Sequence, residues 1–179
     1  MKGSPAHVVI ILQICMSLGS PTVSSAQTSP ADISNIKNIF NKINTDSHLS
    51  KVVLEGEEFL DQTPDGGASL TGYFSKDNLV KITSWIGLSY GIQQLDFYYD
   101  HNTLVFCYVT ERHFKHSQTD IDYTKTELVL EGRYYYSKAG LLQKNLKGTG
   151  FWNKEEEKEM IPDSKEYFDL VSRKRMKNM

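Results

Sequence analysis

The hydrophobic and polar positions near the start of the chain repeat at helical spacing. Between Ser29 and Asn44, polar residues separate apolar side chains that recur every three or four positions, namely Ile33, Ile36, Ile39, Phe40 and Ile43. Ser29 can cap the first turn, and Pro30 fits the first helical position, where no backbone N–H is needed. The pattern predicts an amphipathic helix over residues 29–44 that packs its apolar face on a core.

Over residues 51–147 the pattern changes to short apolar or alternating runs, separated by turn residues such as "TPDGG" (63–67) and "DHNT" (100–103). Alternation with a period of two is typical of strands. Seven strands are predicted: Val52–Leu60, Ala68–Ser75, Leu79–Ile86, Gln93–Tyr99, Leu104–His113, Lys125–Tyr136 and Leu141–Leu146. Because strands joined by tight turns pair with their neighbours, we expect an antiparallel meander of six or seven strands.

One predicted strand is apolar on both faces. Leu104, Phe106 and Tyr108 alternate with Val105, Cys107 and Val109, so strict alternation assigns each set of three to one face. A strand that is apolar on both faces is covered on both sides. We therefore expect a central strand, with the N-terminal helix as one of its covers.

The last part of the chain begins with a run of charge. The stretch "NKEEEKE" (153–159) opens a segment, residues 153–162, that we interpret as a solvated linker. The residues that follow favour a second helix over 163–177, with an apolar stripe of Tyr167, Phe168, Leu170 and Val171. The predicted fold class is α+β: an N-terminal helix, a six- to seven-stranded antiparallel meander sheet and a C-terminal helix, with both helices on the same sheet.

The first 26 residues have the features of a secretory signal peptide. Lys2 supplies a positive charge, residues 8–18 form an apolar run, and Ala26 ends a stretch of small residues. At about 1.5 Å per residue, a run of this length is too short to cross roughly 30 Å of hydrocarbon. We predict cleavage after Ala26, a secreted or periplasmic protein with no membrane attachment afterwards, and a single domain over residues 27–179.

The number of cysteines and the net charge make an internal disulfide and a nucleic-acid partner unexpected. The full chain has two cysteines, and cleavage after Ala26 leaves only Cys107, so no internal disulfide is expected. Cys107 lies in the apolar run "LVFCYV", where we expect a small buried side chain rather than a reactive thiol. A net charge of −2 and 39% hydrophobic residues are typical of an ordinary folded domain, and no basic stripe favours nucleic acid as a partner.

Three segments share one sequence pattern. Each begins with consecutive aromatic residues, continues with a short turn and ends with a leucine followed by valine or leucine. They are "GYFSKDNLVK" (72–81), "DFYYDHNTLVF" (96–106) and "GRYYYSKAGLLQ" (132–143). Cross-strand pairs of aromatic and aliphatic side chains stabilise a register by about 0.2–1 kcal/mol each. Each segment therefore predicts one hairpin, in which the aromatic strand pairs with the leucine strand.

At these residues the chain resembles an uncharacterised family of small exported bacterial proteins, of a kind found in Bacteroidetes, with aromatic-rich hairpin repeats. The stretch typical of that family, E-x-R-Y-Y-[FY], reads "EGRYYY" here (131–136). The hairpins are also distantly similar to MORN-type repeats, although the spacing of Tyr73, Tyr98 and Tyr134 is irregular. The resemblance covers about residues 70–147, and the motifs it implies are structural rather than catalytic.

The polar stretch "RHFKHSQTDID" (112–122) is the candidate for metal binding or catalysis. It contains His113, His116, Asp120 and Asp122, and imidazole and carboxylate groups bind zinc and similar ions. On a strand, positions three apart point to opposite faces, so both histidines reach one ion only across a turn. The sequence therefore favours no metal and no cofactor, and these four residues define the alternative of a small metal-dependent or hydrolytic enzyme.

Aromatic side chains are the main candidates for ligand binding. We predict Tyr98, Tyr135, Trp85 and Arg133 as binding residues, because exposed rings bind sugars and the apolar surfaces of protein partners. Alternation places Tyr135 beside Arg133 on the wetter face of its strand. The leading hypothesis is an exported, non-enzymatic binding module for an unidentified protein or small molecule. The alternatives are the enzyme described above and a sheet that binds an apolar ligand.

Overall fold

The computed structural model describes residues 30–116 and 120–178, so the predicted signal peptide, residues 1–26, lies outside the described residues. In chain order the elements are α1 (Pro30–Thr45), β1 (Ser50–Glu55), β2 (Ala68–Ser75), β3 (Asn78–Leu88), β4 (Gly91–Asp100), β5 (Thr103–His116), β6 (Ile121–Ser137), β7 (Gly140–Gly148) and α2 (Lys154–Asn178). A single turn of 3-10 helix, Gly56–Glu58, follows β1. Neither described helix has both the length and the hydrophobicity of a bilayer-spanning segment.

The seven strands form one antiparallel sheet in which each strand pairs with its neighbours in sequence. The predicted α+β class, with a meander sheet between two helices, is confirmed for this part of the chain. The strand predicted over 52–60 ends at Glu55, because the chain there turns into the 3-10 helix. The strand predicted to begin at Lys125 begins at Ile121.

The charged segment after the sheet is helical, so the interpretation of residues 153–162 as a linker is wrong. Oδ1 of Asn153 accepts the backbone N–H groups of Glu155 at 2.8 Å and Glu156 at 3.3 Å, and Oε2 of Glu156 accepts the N–H of Asn153 at 2.6 Å. This reciprocal pair is a capping box, and the glutamates of the first turn stabilise the positive end of the helix dipole. Helix α2 therefore begins before Pro162 and continues through it.

The two helices pack on opposite faces of the sheet. Successive residues of a strand alternate between these faces: Phe97 and Tyr99 belong to the core under α2, and Tyr98 belongs to the cluster under α1. The face under α2, the α2 face, carries the larger core, which includes three helix residues, Met160, Tyr167 and Val171. The face under α1, the α1 face, carries a smaller cluster near the tips of the hairpins.

The three predicted hairpins are β2–β3, β4–β5 and β6–β7, and each has a two-residue loop. Each hairpin also has a β-bulge at the same place in its second strand, where an extra residue stands between two successive ladder pairs. The extra residues are Val80, Val105 and Leu142, and all three pack on the α1 cluster. The sequence repeat therefore corresponds to a repeated bulge position, although the three loops differ in which residues have positive φ angles.

The bulge in β5 changes which side chains share a face. Leu104 packs on the core under α2, whereas Val105 and Phe106 both pack on the cluster under α1. Strict alternation assigned Leu104 and Phe106 to one face, which is wrong because the extra residue reverses the pattern at that point. The expectation that this strand is central and covered on both sides is confirmed, with α1 as one of its covers.

A buried carboxylate fixes the start of α2 on the sheet. Glu111 of β5 is 0% exposed and accepts the backbone N–H groups of Phe151 at 2.9 Å and Trp152 at 3.1 Å. Nε2 of His113 lies 2.6 Å from the same carboxylate. Nε1 of Trp152 donates to the hydroxyl of Tyr134 at 2.9 Å. These five residues, the Glu111 clamp, join β5 and β6 to the segment that leads into α2.

Candidate functional site

Two of the predicted binding residues are buried. Tyr98 is 1% exposed and Tyr135 is 5% exposed, because α1 lies over both rings. The ring centroid of Phe40 in α1 lies 5.1 Å from that of Tyr98, and the centroid of Phe106 lies 4.9 Å from that of Tyr135. The prediction that these tyrosines form an exposed surface is wrong, since the isoleucine stripe of α1 needs an apolar surface beneath it and the two rings supply it.

The other two predicted binding residues are half-buried on the same face of the sheet. Trp85 lies in β3, and Arg133 in β6 forms an ion pair with Glu131 and stacks 5.3 Å from the ring centre of Tyr108. A groove of about 330 Å³ runs beside α1, and its lining includes Tyr135 and Arg133 but not Trp85. We call it the α1-side groove; its remaining lining residues are Ile36, Lys37, Phe40, Asn41, Phe106 and Tyr108.

The histidine and aspartate residues of the stretch 112–122 do not form a ligand set. His113 is part of the Glu111 clamp, and His116 is the last residue of β5. Asp122 lies in β6, where hydrogen bonds from a neighbouring threonine and lysine lower its pKa to about 2, and Asp120 directly precedes that strand. Across the described residues, no group of three His, Cys, Asp or Glu side chains is arranged to hold a metal ion.

A cleft that the sequence did not indicate lies between the middle of α2 and the tips of the second and third hairpins. Its volume is about 510 Å³. The apolar part of its lining consists of Tyr99, Leu104, Tyr136, Ile161 and Phe168. We call it the hairpin-tip cleft. It brings together side chains from β4, β5, β6 and α2 that are far apart in the sequence.

Hydrogen bonds to α2 hold the two tyrosines of this cleft. The hydroxyl of Tyr99 donates to the C=O of Ser164 at 2.8 Å, and its ring meets Phe168 edge-on at a centroid distance of 5.2 Å. The hydroxyl of Tyr136 lies 3.7 Å from Sδ of Met160. Burial raises the pKa of both tyrosines well above the ordinary value, so the hydroxyls stay protonated. The floor of the cleft is therefore neutral and mostly apolar.

The rim of the hairpin-tip cleft is polar and charged. Lys138 stands at the tip of the third hairpin, and Lys165 and Asp169 stand one turn apart on α2. All three are exposed, and none forms an ion pair within the part of the chain that the structure describes. Neutral hydrogen-bonding groups complete the rim, supplied by Asn102, Thr103 and Ser137.

The loops of the second and third hairpins position the rim residues Asn102 and Lys138. His101 and Asn102 have φ angles of 46° and 62°, as in the two-residue loop whose twist matches that of the flanking strands. Gly140 closes the third hairpin with a φ of 124°, which residues with a side chain rarely adopt. The turns "DHNT" and "SKAG" are readable in the sequence, but the crossing of α2 over them is not. For that reason the rim residues Lys138 and Lys165 were not predicted as a site.

Comparisons of this chain with protein-family models, with curated protein sequences and with solved structures give no match. The cleft and the groove are the two candidate ligand sites of the described chain. Both sites have basic residues in their lining. Lys37 and Arg133 line the α1-side groove, and Arg133 is paired with a carboxylate. Lys138 and Lys165 line the hairpin-tip cleft, and neither forms an ion pair with another described residue.

Proposed function

We propose that this chain is an exported, non-enzymatic binding module whose small ligand occupies the hairpin-tip cleft. The observation that carries the proposal is the cleft itself: about 510 Å³ of space with an apolar floor and polar groups at its rim. Ligand sites in proteins have volumes of about 300–1,000 Å³ and combine mostly apolar walls with a few placed polar groups. The cleft has this composition. The signal-like segment over residues 1–26 supports export.

The chemistry of the buried groups supports binding rather than thiol catalysis. Cys107 is fully buried, and burial raises the pKa of its thiol well above the ordinary value. A thiol of this kind stays protonated, whereas a cysteine nucleophile needs its thiolate form. The cleft lining offers lysine, asparagine and hydroxyl groups, which orient a ligand through hydrogen bonds.

The proposal is tested by titrating the protein with Nile red, a neutral apolar dye, and following its fluorescence. We expect saturable binding of one dye per chain. Ile161→Trp should weaken this binding at least about tenfold, because a 1.4 kcal/mol loss of contact corresponds to that factor. Ile161 lines the cleft and is 38% exposed, so a larger ring there fills the cleft without entering the core.

Two matched tryptophan variants complete the experiment. Met176→Trp places the same ring on α2 outside the cleft, at a residue that is 68% exposed, and should leave the affinity unchanged. Asn41→Trp fills the α1-side groove instead. If Asn41→Trp abolishes binding and Ile161→Trp does not, the dye lies in the groove and the cleft is not the site. Absence of saturable binding to the unmodified protein would overturn the proposed function altogether.

A further inference from the structure

The hairpin-tip cleft is arranged with apolar groups at depth and cations at its mouth. Tyr99 and Tyr136, at its floor, are 4% and 6% exposed, whereas Lys138 and Lys165 are exposed at the rim. A ligand that matches both the apolar floor and the charged rim has an apolar body and one polar end. We infer that the ligand is an anionic amphiphile, in chemical terms an aliphatic chain that ends in a single carboxylate. This inference rests on the proposed function, since it concerns the same cleft.

The rim favours an acceptor over a donor at the polar end. An ammonium group carries three N–H donors and no acceptor, and two lysines line the cleft, Lys138 at the hairpin tip and Lys165 on α2. Asn102 adds an amide and Thr103 a hydroxyl, whereas the hydroxyl of Ser137 already donates to the C=O of Gly140 at 3.4 Å. A carboxylate has only acceptor atoms, so it can accept hydrogen bonds from lysine ammonium groups at the rim, and hydrogen bonds between charged groups are stronger than neutral ones. An alcohol forms weaker bonds there, and an ammonium head meets like charge.

The one carboxylate of the rim limits the charge of the ligand. Asp169 lines the same cleft as the two lysines, so the rim has two cations and one anion. This balance leaves a single positive charge for the ligand to neutralise. A monoanion therefore fits better than a group with two negative charges, because the second charge would face Asp169 without a partner of its own.

Neither Lys138 nor Lys165 forms an ion pair within the described residues, so both can meet a charged ligand. Other basic residues of α2 are engaged: Lys174 is paired with Glu58, and Arg175 with Asp77 at 3.1 Å. Lys158 is paired with Glu155 at 2.7 Å. Lys165 has no such partner in the described residues, and replacing it should leave the stability of the fold unchanged.

The test compares three ligands with the same chain length: decanoate, decanol and decylamine. Each is titrated into the full chain by isothermal titration calorimetry, below the concentration at which it forms micelles. We expect decanoate to bind about tenfold more tightly than decanol, and decylamine to bind most weakly, because tenfold corresponds to the loss of a charge-assisted hydrogen bond. Equal affinities for decanoate and decanol, or tighter binding of decylamine, would overturn the inference.

Rim variants locate the head group. Lys138→Gln and Lys165→Gln should each weaken decanoate binding about threefold while leaving decanol unchanged, as expected for a partly exposed ion pair. Asp169→Asn should strengthen decanoate binding by a similar factor. Lys37→Gln, which changes the α1-side groove, is the control and should have no effect. If the rim variants leave decanoate binding unchanged, the head group is elsewhere and the inference fails.

The two proposals fail in different ways. Nile red binding that is blocked by Ile161→Trp, together with no preference for decanoate, keeps the binding module and removes the anionic ligand. Failure of both the dye and all three decyl compounds to bind removes both proposals. Decanoate binding that survives Ile161→Trp removes the cleft as its site.

Discussion

On the α2 face the carboxylate of Glu111 is closed off from solvent and bound by backbone N–H groups, whereas on the α1 face the carboxylate of Asp96 is bound by side chains. Asp96 accepts the hydroxyl of Thr83 at 2.6 Å and lies 3.2 Å from Nζ of Lys81. The ammonium of Lys81 lies 5.0 Å from the ring centre of Tyr98. Burial is the largest single influence and acts to lower the pKa of Lys81, but the charges and hydrogen bonds of Asp96 and Tyr98 together outweigh it, so the pKa is raised.

The kind of hydrogen-bond partner determines how the fold responds when Glu111 or Asp96 is replaced. The N–H groups that Glu111 binds are part of the main chain and remain when any side chain is replaced, so nothing but an acceptor at this position can satisfy them. The partners of Asp96 can be removed together with it. The N–H groups at the start of α2 therefore depend on Glu111 alone among the described side chains, whereas we expect Asp96 and Lys81 to be exchangeable as a pair.

The largest effect is expected from Glu111→Leu. The substitution replaces the carboxylate with an apolar side chain and leaves the N–H groups of Phe151 and Trp152 and the imidazole of His113 without their acceptor. Removing one partner of a buried charged network costs about 3–5 kcal/mol, and we expect a loss of this size in the free energy of unfolding by urea denaturation. Glu127→Ala, at an exposed glutamate of β6, is the control. A loss below 1 kcal/mol for Glu111→Leu, on the same scale as exposed pairs, would contradict the clamp.

A smaller effect is expected on the α1 face, where Lys81 and Asp96 can be tested by a double-mutant cycle. Lys81→Met alone leaves Asp96 buried without its cation and should cost about 2 kcal/mol, less than a fully isolated charge because Thr83 and Gln94 still donate to it. Adding Asp96→Leu should restore most of the lost free energy of unfolding. A double variant less stable than Lys81→Met alone would show that the pair is not exchangeable and would remove the contrast between the faces.

The smallest effect concerns Asp163, a half-buried carboxylate of α2. Burial, and then the charges of Glu159 and Glu166, raise its pKa from 3.8 to about 6. The folded state therefore holds this proton more tightly than the unfolded chain, and its contribution to stability is lost as the pH rises from about 4 to about 6. Because the group is partly solvated, the change should stay below about 1 kcal/mol.

Thermal unfolding at pH 4 and pH 7 checks this expectation. Asp163→Asn cannot ionise, so its Tm relative to the unmodified protein should be higher at pH 7 than at pH 4. Asp61→Asn, at an exposed residue, should show no such difference. The same difference at both pH values for Asp163→Asn would rule out the raised pKa as its cause.

The sequence predicts the sheet and α1 well because both depend on local patterns. The strand Ala68–Ser75 has the bounds expected from its turns and alternation, and α1 follows its isoleucine spacing. The predicted start of α2 is too late because a run of charged residues, taken alone, is typical of a linker. The helix cap that precedes the run indicates a helix instead. Asn153 and Glu156 form that cap, and their spacing of three is readable in the sequence.

The exposure of single residues and the cleft could not be predicted in the same way. Tyr135 lies on the polar face of its strand as alternation indicated, but burial depends on where α1 crosses the sheet. The bulge at Val105 shifts the alternation within one strand, and nothing in the local pattern marks it. The hairpin-tip cleft is lined by Lys138 of the third hairpin and Lys165 of α2. Its prediction requires the packing of α2 on the sheet, which no local pattern specifies.

The bulge has the same position in all three hairpins, so their tips place side chains on the two faces of the sheet in the same order. In each hairpin the turn is followed by the same facing order, with one side chain toward α2 and the next two toward α1, as Leu79, Val80 and Lys81 are arranged in the first. A tip grafted from one hairpin onto another therefore keeps every side chain on its own side of the sheet. Such a graft would change the residues around the mouth of the cleft, and so the molecules it selects, while the scaffold beneath stays the same.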